Sequence, residues 1–208
     1  MNIDCMKYMK TCADKKFDLA IVDPPYGIST SQELAIKGQT CRKNGYRAWK
    51  HKEWDSSIPT EGYFKELMRV SENQIIWGGN YFTQYLFPSR GWLIWDKGQR
   101  GFSFADAELA WTSFDSSVRV FNYSRGKLLT QNKIHPTEKP IDLYRWILKN
   151  YAKEGDLILD THLGSGSSSI AAYKEGFDLT GTEIDADYFE DSEKRLKIVQ
   201  SQTSLFET

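Results

Sequence analysis

The sharpest chemical signal lies early in the chain, in Asp23-Pro24-Pro25-Tyr26, directly after the apolar run Phe17-Asp18-Leu19-Ala20-Ile21-Val22. A proline fixes its own φ and has no N–H, so the Pro24 carbonyl is held in one direction beside the Asp23 carboxylate. Two acceptors and the ring of Tyr26 suit a flat ligand bearing an exocyclic amino group. The same residues also read as a strand stopped by proline, or as a Pro-Pro-Tyr tract offered to another domain.

A second cluster, Asp160-Thr161-His162-Leu163-Gly164-Ser165-Gly166-Ser167, is a strand end running through a Gly-x-Gly turn into a helix. Such a turn lets the backbone approach a nucleoside closely, and an acid about 20 residues on can hold ribose hydroxyls. Glu183, in Gly181-Thr182-Glu183-Ile184, lies 17 residues after Gly166. An ordinary strand–helix turn remains the plain alternative. No Gly-Lys-Ser/Thr follows, which excludes a triphosphate loop, and Ser169 stands where a dinucleotide fingerprint places its third glycine. A NAD-dependent oxidoreductase would also leave Asp-Pro-Pro-Tyr without a use.

These clusters need a scaffold that brings strand ends together. Gln74-Ile75-Ile76-Trp77 and Trp92-Leu93-Ile94-Trp95 read as two further strands. Ile141, Tyr144, Leu148 and Tyr151 mark one face of a helix whose first turn suits Pro140. Asp156 to Asp160 reads as a strand, Ser167 to Glu175 as a helix, Asp178 to Thr182 as a strand and Tyr188 to Val199 as a helix. Alternating strands and helices predict an α/β fold: a Rossmann-like, mostly parallel sheet with helices on both faces and ligands at the strands' carboxyl ends. One domain over 1–199 and a flexible tail over 200–208 are expected.

Composition narrows the class. The 208 residues carry 27 basic and 28 acidic side chains, so nucleic acid could be held only by local patches. Aromatics at 14% leave rings to spare for stacking. Two acid-free stretches are candidate DNA-contacting loops: 37–52, with six Lys/Arg plus Tyr46 and Trp49, and 116–134, with four. Solvated surface loops are the simpler account of both. Cys5, Cys12 and Cys41 form no C-x-x-C, and His51, His135 and His162 are far apart, so neither a disulfide framework nor a metal site is expected. No stretch approaches the roughly 18 apolar residues of a membrane span, and the expected location is cytoplasmic, in a bacterial or phage setting.

Together, these motifs resemble those of the DNA amino-methyltransferases, which move a methyl group from S-adenosylmethionine to adenine N6 or cytosine N4 and release S-adenosylhomocysteine. Asp23-Pro24-Pro25-Tyr26 matches that family's catalytic motif. Asp160 to Gly166 resembles its methionine-binding turn, D-P-F-x-G-S-G. His135-Pro136-Thr137-Glu138-Lys139-Pro140 matches the segment just before it. The catalytic motif precedes the cofactor turn, as in the permuted, beta-type members; glutamine-amide methyltransferases have the reverse order.

The resemblance implies that Glu183, with Ile184 beside it, binds the ribose, that Asp4 and Cys5 meet the cofactor's adenine, and that Lys139 lies near the methionine carboxylate. His162, Gly164, Ser165 and Gly166 would line the turn with Asp160. Thr161 and His162 depart from the family's Pro-Phe. They put cofactor affinity in doubt and keep open a catalytically silent DNA-binding relative, although a ring replacing a ring in one packing site is the expected role of His162. The first strand looks clipped, because Asp4 has only three residues before it. Aspartate as the first motif residue favours adenine, since cytosine-N4 members more often carry S-P-P-Y. The implied partner is double-stranded DNA with a flipped base. A homodimer is compatible with the small size, and Gln202-Thr203-Ser204-Leu205-Phe206 resembles peptides that dock on sliding clamps.

Overall fold

The computed structural model describes residues 1–28, 56–101, 105–124, 126–127 and 138–204. Seven strands form one sheet: β1 (Phe17–Val22), β2 (Ser71–Trp77), β3 (Trp92–Asp96), β4 (Ala107–Thr112), β5 (Arg119–Asn122), β6 (Leu157–Asp160) and β7 (Asp178–Gly181). Their order across the sheet is β5-β3-β4-β2-β1-β6-β7. Only β4 runs antiparallel, pairing with β2 and β3; the β1–β2, β1–β6, β3–β5 and β6–β7 pairs are parallel. The mostly parallel sheet expected from the sequence is therefore present.

Among the described residues, five helices flank it: α1 (Cys5–Met9), α2 (Glu61–Val70), α3 (Ile141–Tyr151), α4 (Ser167–Glu175) and α5 (Ala186–Ser204). Side chains alternate across each strand, so a fully buried strand serves two cores. Leu19 and Ile21 of β1 pack with Ile75, Leu143, Ile147, Leu148, Ala171 and Ala172 under α3 and α4. Ala20 and Val22 face the other way, onto Met9, Phe64, Leu67 and Val70 of α1 and α2. Both faces are covered, which places ligands at the strand ends.

Several boundaries differ from the sequence reading. Pro140 caps α3 from outside rather than sitting in its first turn. The last helix starts at Ala186 and runs through Ser204, so the tail expected to be loose from Gln200 is helical for its first five residues. Within the candidate loop 116–134, Arg119–Asn122 is the edge strand β5, so it is not one loop. Its residues 125 and 128–134, the whole of 37–52, residues His135 to Thr137, and Leu205 and Phe206 lie outside the described residues. In place of a first strand, Asn2 makes a single parallel bridge to Glu183.

Candidate active site

The chain turns one way from β1, toward β2, and the other way from β6, toward β7. Those strands are neighbours, and Ala20 pairs with Leu159. That reversal of strand order opens a crevice at the carboxyl ends. Asp23 follows β1 on one side of it; Asp160 closes β6 on the other.

The donor side is a turn tied down by backbone and carboxylate contacts. Asp160 is buried, accepts the His162 N–H at 3.0 Å and takes the Ser168 hydroxyl at 2.5 Å. Burial pushes its pKa up to about 7, against those two hydrogen bonds. Gly166 has φ +71 and caps α4; a Cβ there would stand 2.9 Å from Ser192, so helix packing as well as dihedral selects glycine. The two oxygens of Glu183 accept the N–H groups of Gly164 and Asp185, both at 2.9 Å. A carboxylate has about four acceptor sites, so Glu183 keeps capacity for a further donor.

Two residues outside the turn clamp it. Arg195 of α5 donates to the Ser165 carbonyl at 3.0 Å and the Ser167 hydroxyl at 3.2 Å, and pairs with the buried Glu138 at 2.7 Å. Neither residue was singled out by its own chemistry in the sequence. No spacing rule links positions 138 and 195.

Asp4 caps α1 by accepting the Lys7 N–H at 2.9 Å, and its charge reaches His162. Burial pushes the Cys5 thiol up to about 12, leaving it a neutral wall. The same effect lowers His162 to about 4, so its ring is neutral near pH 7. That ring meets Tyr63 edge-on at 5.4 Å, while Tyr63 and Thr161 share a hydrogen bond of 2.7 Å. These contacts suit packing rather than proton transfer. Ile184 is exposed at the rim.

The acceptor side is built from charges. Asp23 takes the Tyr26 hydroxyl at 2.6 Å on one oxygen and the Lys139 ammonium at 2.5 Å on the other. Lys139 also reaches Glu108 of β4 at 3.0 Å, and Lys97 pairs with that glutamate at 2.6 Å. Burial raises Asp23, and the neighbouring Glu108 adds to the rise; Lys139 and the Tyr26 hydrogen bond oppose it. Burial would lower Lys139, but its two carboxylates hold it above the ordinary lysine value. Burial would likewise raise Glu108, yet Lys139 and Lys97 hold it at about 2. Lys139 and Glu108 are therefore held in their charged forms, while burial works against the charge on Asp23. The ammonium of Lys139, which the resemblance implied to lie near the methionine carboxylate, meets the carboxylate of Asp23.

The Tyr26 ring lies against Gly78 (φ +70), where any Cβ would come within 2.2 Å of it. Tyr81 stacks on the ring at 5.0 Å with 17° between planes. Sequence reasoning passed over Gly78, Tyr81, Glu108 and Lys97. The Gly78-Gly79 pair after a strand was a signal of close backbone approach; the other three had none.

The crevice, the Gly-x-Gly turn with its acid, and the carboxylate–proline–tyrosine edge define a nucleoside-cofactor enzyme of the Rossmann-like methyltransferase kind. Residues 94–194 match a family described as DNA methylase, of the N6/N4 type. The chain is 26% identical over 233 residues to the type II methyltransferase M2.MboI of Moraxella bovis, covering 92% of this chain and 85% of that one. It is 25% identical to M.HinfI of Haemophilus influenzae, covering 95% and 67%. Its fold resembles the M1.HpyAVI–SAM complex (TM-score 0.59, 16% identity, 94% and 97% covered). It also resembles the cytosine-N4-specific PvuII DNA methyltransferase (TM-score 0.60, 13% identity, 96% and 90% covered). These likenesses agree with the motifs and support a DNA methyltransferase of the N6/N4 amino-methyltransferase type.

Proposed function

We propose that the protein uses S-adenosylmethionine to methylate the N6 amino group of an adenine flipped out of double-stranded DNA. One observation carries the reading: the Asp23-Pro24-Pro25-Tyr26 edge and the Gly164–Gly166 turn with Glu183 face one crevice from adjacent strands. The donor side fits a nucleoside cofactor, since Glu183 is anchored by two backbone N–H groups and still has acceptors to offer ribose hydroxyls. His162 supplies a neutral ring where the family carries Phe. When bound, the cofactor supplies an electrophilic methyl group on sulfonium sulfur.

An exocyclic amine conjugated with its ring is a poor nucleophile. Asp23 and the Pro24 carbonyl accept its two N–H bonds and draw the nitrogen toward a tetrahedral shape, freeing its lone pair. With the cofactor bound, the nitrogen would take the methyl group and gain a positive charge, while the C–S bonding pair would stay with sulfur as a neutral thioether. Methylation makes that nitrogen strongly acidic, so its proton passes to Asp23 or to water. Placement and fixed dipoles do the work, without a covalent intermediate.

In the free protein Tyr26 and Lys139 occupy the Asp23 oxygens. The incoming amine replaces the Tyr26 hydroxyl, and the base takes the place of Tyr81 on the Tyr26 ring. Asp23 as the first motif residue favours adenine; cytosine N4 is the second reading, for which serine is the more usual first residue. Digesting methylated DNA to nucleosides and weighing the products decides: N6-methyladenine supports the proposal, and N4-methylcytosine overturns its choice of base. The basic stretches 37–52 and 116–134 stay candidates for DNA contact, and Gln202–Phe206 for a clamp, each open to deletion and DNA or clamp binding assays.

A further inference from the structure

The acceptor side holds a buried charge pair that the reaction as described does not use. Lys139 is 2% exposed and touches two carboxylates, Asp23 at 2.5 Å and Glu108 at 3.0 Å. Glu108 stands on β4, paired across the sheet with Trp95 of β3, and is fixed from its far oxygen by Lys97 at 2.6 Å. The row Asp23–Lys139–Glu108–Lys97 thus alternates acid and base. A buried pair costs desolvation that attraction often only offsets, so stability alone is a weak account of it.

The reaction gives the row a purpose. An ammonium wholly committed to Asp23 would compete with the incoming amine for the carboxylate. It would also stand as a bare positive charge beside a nitrogen that becomes positive. We propose that Glu108 is a positioning residue for methyl transfer: held by Lys97, it draws the Lys139 ammonium partly off Asp23 and cancels its charge, leaving Asp23 an acceptor for the target amino group. The proposal rests on Asp23 as the acceptor of that amine. Besides Lys139 and Glu108, the groups that face Asp23 are Tyr26 on its own segment, Tyr63 of α2, Tyr144 of α3 and Asp160 at the end of β6.

The test is a double-mutant cycle of Glu108→Gln and Lys139→Gln, read as kcat for radiolabelled methyl transfer to DNA from a methylation-free host, from pH 5.5 to 8.5. Glu108→Gln is expected to lower kcat roughly 10- to 100-fold, the scale of a lost electrostatic group at a reacting centre. It should move the acid limb of kcat to lower pH, because Asp23 loses a like-charged neighbour. Cofactor Kd by calorimetry should stay within about twofold, since Glu108 stands on the other side of the crevice. With Lys139→Gln already present, Glu108→Gln should add almost nothing. Equal losses in both backgrounds, an unmoved acid limb, or kcat within threefold of the parent overturns the proposal. Should Glu108→Gln melt at assay temperature, Glu108→Asp carries the test. It keeps the charge, so kcat falls less than tenfold with the acid limb in place, and a hundredfold loss refutes the role. Asp23→Ala in the same assay separates the two claims: if it stays active, the reading of Asp23 fails first.

Discussion

The two sides of the crevice are held by different physics. On the donor side, backbone N–H groups, a positive-φ glycine and the Arg195 clamp fix a short loop, and each contact is local or a single strap. On the acceptor side, alternating acids and lysines and two stacked tyrosines occupy one another. On the proposed reading, the first arrangement binds and the second is displaced. Methyl transfer needs both, because the donor must be gripped before the amine is reshaped.

Substitutions on opposite sides should therefore fail in different ways. Asp23→Ala is expected to lower kcat by about 10²–10⁴, the range of a positioned polar group, with cofactor Kd within a few-fold; a rate above a tenth of the parent breaks the assignment. Arg195→Ala leaves Glu138 buried without its guanidinium. Thermal or urea unfolding should record a loss of roughly 3 kcal/mol, and calorimetry a weaker cofactor. Glu183→Ala should weaken cofactor Kd about tenfold or more, from losing hydrogen bonds to a charged acceptor, while kcat at saturation holds; an unchanged Kd removes it from the ribose site.

Smaller effects sharpen the contrast. Tyr81→Ala should lower KM for DNA about 2- to 12-fold, since removing one aromatic stack of about 0.5–1.5 kcal/mol frees the Tyr26 face. A higher KM would make Tyr81 a second plate rather than a placeholder. His162 is held near 4 against 6.5 when unfolded, so its neutral packing stabilises the fold above pH 6.5 and that stability is lost as pH falls through about 4. His162→Phe should flatten the fall of Tm over that window and leave the neutral-pH rate unchanged within a few-fold.

The donor side was the more legible in sequence, and for a physical reason. A Gly-x-Gly turn with its acid is fixed by local dihedrals and one strand-to-strand step, so spacing records it. Asp23-Pro24-Pro25-Tyr26 was equally readable because proline makes it rigid within four residues. Glu108 and Lys97 were not, because their meaning comes from β4 turning antiparallel beside β2 and β3, a pairing that no periodicity encodes. Lys139 was read as a site residue: its place in the motif says that it matters, and only the sheet order says that it meets Asp23 and Glu108. The final helix outran its expected end at Val199 because Gln200, Ser201 and the residues to Ser204 lack a Gly or Pro to stop it.

Glu138 and Lys139 are consecutive, yet the first grips the clamp of one side and the second the carboxylate of the other. A peptide unit spans only about 3.8 Å between Cα atoms and resists stretching. That dipeptide therefore works as a fixed gauge: any slip of the loop toward α5 drags on Asp23 as well, so that, on the proposed reading, methyl source and methyl target stay in step.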